Sequence, residues 1–270
     1  MTSNTSTAPL RVPVALIVLI LMLGVLTGAQ LGKIAPLIPW YTQDLGFSLV
    51  AAGWLAAILG VFIAICALPA GWLIDRLGLR KSIGIGVGTL AIGGAWLSVS
   101  VDPVAIFAAR TVEAIGYLAL CVALPATLDA ISPTRWKAPV LAIWSGFVPL
   151  GFALSDFLAG AILSEHGPST FLQIITAVFL VLSFAVLLLL GGRTIVSSSE
   201  EAGGMRATLS KEVVLLAISF GAFVIVSVSM FTFMPAFVAG EGSYYLLGAG
   251  TVALCVPLGN ILASVLVGGR

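Results

Sequence analysis

Four charged side chains stand inside long apolar stretches of this chain: Lys33, Arg110, Glu113 and Asp156. An ionised group placed in hydrocarbon costs at least about 2.5 kcal/mol on insertion scales, so each of them calls for a reason. The planar fork of an arginine suits a carboxylate, and a nearby lysine adds a second positive charge. A buried Asp or Glu can take up and release a proton. These residue types therefore indicate anion binding and proton exchange.

The spacing of the four residues supports two hypotheses and leaves simpler alternatives open. Arg110 and Glu113 are three residues apart, so they share one helix face. At 1.5 Å per residue, all four lie roughly 9–15 Å inside the outer ends of their predicted helices. We predict that Lys33 and Arg110 bind substrate, and that Glu113 and Asp156 serve in proton coupling or ion pairing. Alternatively, Arg110 with Glu113 or Asp156 only holds helices together, and Lys33 extends to the outer interface.

The composition predicts that these residues are positioned by membrane-spanning helices. Hydrophobic residues make up 60% of the chain, charged residues make up 9%, and the mean hydropathy is +1.19. A soluble domain is about half apolar and a quarter charged, so most of this chain requires lipid as its solvent. The net charge of +1 argues against nucleic-acid binding. Cys66, Cys121 and Cys255 lie apart in apolar stretches, which indicates packing rather than disulfides or metal ligation.

The sequence offers little for catalysis. Its one histidine, His166, falls in a link between apolar stretches. A serine or metal hydrolase within the membrane would need a histidine near its nucleophile or metal. We therefore predict that the chain is no enzyme and that it holds no metal or cofactor.

Eight stretches reach the roughly 20 apolar residues that a membrane-spanning helix needs. We predict spans at residues 12–38, 48–70, 82–101, 103–130, 138–163, 170–190, 213–235 and 244–267. The links after the first, third, fifth and seventh spans carry Asp44, Asp102, Glu165, His166 and Glu241, with no Lys or Arg. The opposite side carries Arg11, Arg76, Arg80, Lys81, Arg135, Lys137, Arg193, Arg206, Lys211 and Arg270. Because basic residues stay on the cytoplasmic side, we predict that the protein lies in the inner or plasma membrane with its N-terminus in the cytoplasm.

One link differs in composition and divides the chain. Residues 191–209 are rich in Gly, Ser and Glu, which is typical of a flexible linker. We predict an all-α polytopic protein with a six-helix bundle at 1–191, a cytoplasmic linker at 192–210 and the first two helices of an incomplete second bundle at 211–270. Six helices, a linker and further helices are the layout of transporters built from two repeated halves. The chain is accordingly expected to be truncated after its eighth helix.

The link between the second and third spans carries a motif of fixed spacing. Its residues are Gly71, Asp75, Arg76, Gly78, Arg80 and Lys81. This pattern resembles the signature loop of the major facilitator superfamily: Gly, three residues, Asp-Arg, one residue, Gly, one residue and two basic residues. The resemblance implies that these six residues govern gating where the two halves meet, and that they do not contact substrate.

Two further stretches are compared with the same family. Arg110 and Gly116 match a family pattern in the fourth helix, while Glu113 stands where Gln is common. In the fifth helix, Ser155-Asp156 occupies the place of the Gly-Pro pair of antiporter branches. The resemblance therefore favours the branch of cyanate and small-anion permeases. It also implies that the first, fourth and fifth helices border a central cavity.

These observations predict a secondary active transporter that works by alternating access. We expect proton-coupled symport of a small organic or inorganic anion, with the substrate, protons and the lipid bilayer as partners. An efflux carrier of amphipathic compounds is one alternative. A truncated membrane fragment that does not transport is the other, because alternating access needs both halves. The oligomeric state is left open.

Overall fold

The computed structural model describes residues 14–191 and 211–238, and this part of the chain is helical throughout with short breaks. The helices are α1 Val14–Gly32, α2 Ile38–Gln43, α3 Leu49–Leu77, α4 Leu79–Val99, α5 Pro103–Ile131, α6 Thr134–Trp144, α7 Phe147–Leu190 and α8 Lys211–Val238. A 3-10 turn, Ala35–Leu37, connects α1 to α2. The predicted linker and the predicted eighth span lie outside the described residues.

The first predicted span proves longer than expected. It continues through the 3-10 turn and α2 to Gln43, whereas the prediction ended it at residue 38. Pro36 lies in the 3-10 turn and Pro39 near the start of α2, where a missing N–H removes no interior helical hydrogen bond. The two prolines therefore tighten and redirect the helix without ending it.

The predicted loop between the second and third spans is mostly helical. Helix α3 runs seven residues beyond the expected end at residue 70, and α4 begins three residues before the expected start at residue 82. Gly78 alone separates them, with φ +83° and ψ +148°, a conformation that favours glycine. The added turns carry charged residues, so a hydropathy pattern does not detect them as helical.

Capping residues fix two other helix starts. Ser48 accepts a hydrogen bond from the Ala51 N–H at 3.1 Å and begins α3. Asp102 accepts one from the Ala105 N–H at 2.9 Å and begins α5, which has Pro103 as its first residue. Each side chain satisfies a backbone donor that the first helical turn leaves free.

The long helix α7 is a hairpin of two membrane-crossing segments. Its 44 residues would extend about 66 Å if straight, twice the thickness of the hydrocarbon. Gly167, with φ +74° and ψ +176°, breaks the helix just before Pro168. Gly151 approaches Gly28 of α1, while the Ile175 carbonyl accepts from Gln30, two residues further along α1. Residues 151 and 175 are 24 positions apart and reach the same part of α1, so the chain reverses at the break.

Glycines bring several helices into backbone contact. A Cβ atom on Gly28 would lie 2.3 Å from the Phe147 carbonyl oxygen, and one on Gly151 would lie 2.2 Å from the Gly28 carbonyl carbon. Between α4 and α5, Gly86 and Gly116 meet in the same way, with 2.5 Å from a Gly116 Cβ to the Gly86 oxygen. Small residues at helix contacts are typical of membrane bundles, in which close packing replaces the hydrophobic driving force.

Five helical segments of the described residues are long and apolar enough to cross a membrane, and α7 counts once among them. Large apolar side chains face outward, including Ile65, Leu68, Val181 and Ile225. Helix α8 contacts the 3-10 turn and α7, where the rings of Phe152 and Phe231 lie 5.7 Å apart. The described part of the chain therefore has a packed interior and an apolar exterior suited to lipid.

Candidate functional site

Arg110 of α5 is fully buried and anchored by oxygen atoms from three helices. Its Nη1 donates to Glu113 Oε2 at 2.6 Å and to the Gln30 carbonyl at 2.9 Å. Its Nε donates to the Leu55 carbonyl at 3.3 Å, and its Nη2 donates to the Leu31 carbonyl at 3.4 Å. The guanidinium therefore connects α5 to α1 and α3 through three hydrogen bonds, and the fourth stays within α5.

Glu113 bridges two positive charges. One of its oxygens pairs with Arg110, and the other accepts a hydrogen bond from Nζ of Lys33, which directly follows α1. Lys33 also donates to Gln30 Oε1 at 2.7 Å, and all of these side chains are fully buried. We call Lys33, Arg110, Glu113 and Gln30 the buried cluster. Its two cations and one carboxylate give it a formal charge of +1.

The surroundings of Glu113 are built from small residues. A Cβ atom on Gly93 of α4 would lie 2.6 Å from Glu113 Cγ, and one on Gly94 would lie 3.1 Å from Glu113 Oε1. Thr176, from the second segment of α7, lies against Gly94 on the same side. The glycines let α4 approach the carboxylate closely, which excludes water from the cluster and strengthens its ion pairs.

Asp156 lies apart from the buried cluster. It is buried on the first segment of α7, and its Oδ1 has no hydrogen-bond partner among the described residues. Among the ion pairs of the described part of the chain are Lys33–Glu113, Arg110–Glu113 and Lys137–Asp129. Arg110 is therefore paired with Glu113 and not with Asp156, and Lys33 points inward instead of extending to the interface.

The residues of the signature motif lie at the junction of α3 and α4. The N–H of Gly78 donates to the Ile74 carbonyl at 2.8 Å and closes the end of α3. Asp75, Arg76, Arg80 and Lys81 are exposed. The Arg76 guanidinium lies 3.8 Å above the ring of Trp72, an arrangement that holds the side chain along the helix surface.

Gln30 is a cluster member that the sequence analysis missed. It accepts from Lys33 and donates to the Ile175 carbonyl at 3.1 Å, so it ties α1 to α7. A signal was present, because Gln30 is a polar residue in an apolar stretch three positions before Lys33, on the same helix face.

Apolar helices that cross the bilayer several times, with a charged cluster sealed between them, define an integral multi-pass membrane protein. The family model of the Major Facilitator Superfamily matches residues 16–270. The chain belongs to this superfamily.

Solved structures have the same fold. One is a bacterial homologue of the human lysosomal transporter Spinster, in an inward-facing and unoccupied conformation; it is 17% identical, the TM-score is 0.71, and the match covers 89% of this chain and 59% of that one. A D-xylose–proton symporter is 15% identical with a TM-score of 0.70, over 95% of this chain and 69% of that one. A POT family transporter in complex with a thioalcohol-conjugated peptide is 20% identical with a TM-score of 0.57, over 93% and 52%. A comparison with curated proteins found no match. The chain thus spans about half to two-thirds of the length of these structures.

Proposed function

We propose that this protein is a secondary active transporter that moves a small organic or inorganic anion together with a proton by alternating access. The observation that carries the proposal is the buried cluster, in which Lys33 and Arg110 share the single carboxylate of Glu113. A formal surplus of positive charge in a fully buried site favours an anionic ligand. Membership of a transporter superfamily supports transport, and the likeness to a D-xylose–proton symporter is consistent with proton coupling.

In this proposal Glu113 is the counter-ion of Lys33 and Arg110 when no substrate is bound. Arg110 has five N–H donors, and its four hydrogen bonds use four of them. A substrate carboxylate offers the same acceptor atoms as Glu113 and would replace it at Lys33 and Arg110. Because these side chains are fully buried, binding requires helix movements that open the cluster to one side of the membrane at a time.

The motif at the junction of α3 and α4 is proposed as a gate. Its members are Gly71, Asp75, Arg76, Gly78, Arg80 and Lys81. None of them belongs to the buried cluster, and the four charged ones are exposed. A single residue, Gly78, joins the two helices, so any shift of α3 against α4 must pass through its backbone.

The remaining proposals concern the setting of the protein. We place it in the inner or plasma membrane with its N-terminus in the cytoplasm, and we divide it into a bundle at 1–191, a linker at 192–210 and a second part at 211–270. The basic residues between spans support the orientation. The departure at Ser155-Asp156 from the antiporter pattern supports a branch of small-anion permeases.

Counterflow in proteoliposomes tests the anion site. Radiolabelled cyanate, nitrate, formate and lactate would be exchanged against the same unlabelled anion, with the parent protein and three arginine variants: Arg110→Lys, Arg110→Ala and Arg135→Ala. Arg110→Lys keeps the charge but loses the fork, and we expect at least a tenfold loss of exchange. Arg135→Ala removes an exposed arginine and serves as the control. An unchanged rate of exchange in Arg110→Lys and in Arg110→Ala would contradict the proposed anion site.

Two other results would replace the proposal. Export of an amphipathic dye with no exchange of any small anion would identify an efflux carrier. No flux of either kind from folded protein would identify a membrane component that does not transport by itself.

A further inference from the structure

Two buried carboxylates of this protein have opposite surroundings. Both oxygens of Glu113 face a cation. Asp156, 1% exposed, has no ion pair and no hydrogen bond among the described residues, and its Oδ1 is sealed from solvent. An ionised carboxylate without a partner in such surroundings is far more costly than a neutral carboxylic acid.

Among the side chains that the structure describes, the helices packed against α7 bring no counter-charge to Asp156. Helix α1 has no charged residue, and Lys33, which directly follows it, is held by Gln30 and Glu113. The 3-10 turn has none, and the charges of α4, Arg80 and Lys81, are exposed at its first turn. The second segment of α7, residues 168–190, contains no titratable side chain.

The remaining charged residues of α7 and α8 whose side chains the structure describes are exposed. Glu165 and His166 are exposed nine and ten residues further along α7. Lys211 is exposed at the first residue of α8. Phe152, one turn before Asp156, contacts Gly32 of α1 and Phe231 of α8, so apolar groups cover this face of α7.

We propose that Asp156 is the proton-binding group of this protein, while Glu113 stays ionised between its two cations. The proton enters from water on one side of the membrane, resides on a carboxyl oxygen of Asp156, and leaves to water on the other side. This assignment rests on the proposed anion transport for its role in coupling. A monovalent anion carried together with one proton moves no net charge, so such a cycle is insensitive to membrane potential.

Infrared spectroscopy of the protein in lipid tests the assignment without requiring transport. At neutral pH we expect a C=O band from a protonated carboxyl group that is lost in Asp156→Asn and kept in Glu113→Gln. Ser155→Ala, which alters the neighbouring buried hydroxyl, is expected to keep the band. A band that survives Asp156→Asn, or one that disappears in Glu113→Gln, overturns the proposal.

Flux measurements then test the coupling. In Asp156→Asn we expect exchange of labelled anion to remain within about twofold of the parent, while accumulation driven by a pH gradient is lost. Accumulation that persists in this variant overturns the coupling role. If the parent exchanges no anion, the proposed function fails, and the infrared band alone decides whether Asp156 holds a proton.

Discussion

Glu113 lies between two cations from different parts of the fold, and this arrangement makes its charge necessary for the packing of both. Lys33 directly follows α1 and Arg110 lies on α5, so the carboxylate neutralises charge on its own helix and at the end of a neighbouring one. Removal of one partner from a buried ion pair is strongly destabilising, because the remaining charge keeps its desolvation cost.

Glu113→Gln is expected to lower the free energy of unfolding by about 3–5 kcal/mol. The amide keeps the size of the side chain but leaves Lys33 and Arg110 facing each other without a negative charge. Asp129→Asn is the matched control: it is the same change on the same helix, in a half-buried pair with Lys137 at 2.9 Å. We expect at most about 1 kcal/mol there.

Denaturation in mixed micelles, followed by circular dichroism, gives the free energy of unfolding of both variants. Equal losses of this free energy in Glu113→Gln and Asp129→Asn would contradict the structural importance of the buried cluster.

The sequence indicated which charged residues lie inside the helix bundle and only partly how they combine. Lys33, Arg110 and Glu113 do meet, as their depths in the predicted spans suggested. Asp156 lies at a similar depth but outside the cluster, because depth along a helix does not specify how neighbouring helices are rotated. The three backbone carbonyls that hold Arg110 could not be predicted, since they depend on helix packing and not on residue type.

At the scale of the helices, the contact between α1 and α7 depends on residues without side chains. Gly28→Ala places a methyl group 2.3 Å from the Phe147 carbonyl oxygen, and backbone atoms cannot yield as a flexible side chain does. We expect a loss of about 1–3 kcal/mol. Gly60→Ala on α3, which meets nothing within 4 Å, should leave stability unchanged.

Thermal melting in detergent compares the melting temperatures of these two variants with that of the parent. A Gly28→Ala protein with the melting temperature of the parent would show that α1 and α7 can separate without a loss of stability.

The reversal within α7 depends on the backbone conformation at Gly167. Any residue with a Cβ is strained at φ +74° and ψ +176°, by about 1–3 kcal/mol. Gly167→Ala should therefore lower the melting temperature, although nothing lies within 4 Å of the added methyl group. Gly221→Ala on α8 has equally open surroundings and no positive φ, so it isolates the backbone effect. Equal melting temperatures of the two variants would contradict the predicted backbone strain at residue 167.

The order of the apolar helices in the described residues was predictable because each span needs about 20 apolar residues, but their connections were not. The link at 71–81 is helical except at Gly78, and α7 continues to His166 where a loop was expected. Hydropathy detects the membrane boundary, whereas a helix ends where its backbone hydrogen bonds end. Helices that extend beyond the hydrocarbon therefore escape a prediction based on apolar length.

At the scale of the whole molecule, the distribution of basic residues predicts which ends of the helices face the cytoplasm. Glu165→Cys and Lys81→Cys place thiols at opposite ends of the bundle, at two exposed positions. A membrane-impermeant maleimide added to intact cells should label the first variant and not the second, and both should react after the cells are opened. The parent, whose cysteines lie in apolar stretches, is the control for background. Labelling of Lys81→Cys in intact cells would reverse the orientation.

The apolar exterior predicts how the protein behaves when its solvent changes. Side chains such as Leu68, 76% exposed, and Val181, 73% exposed, have no partner across most of their surface within the described part of the chain. They require lipid or detergent around them, so dilution of the detergent should aggregate the protein before any helix unfolds.

The pairing of Lys33 with Glu113 also sets an order of events during synthesis. The two residues are 80 positions apart, and translation at about 5–20 residues per second separates their emergence by roughly 4–16 s. During that interval α1 already occupies the bilayer while the carboxylate that neutralises its lysine has not been made. The newborn helix must keep this ammonium group near the headgroups, by tilting or by extending the side chain, until α5 arrives. Its final depth in the membrane is therefore reached only when the nascent chain has grown past the fourth span.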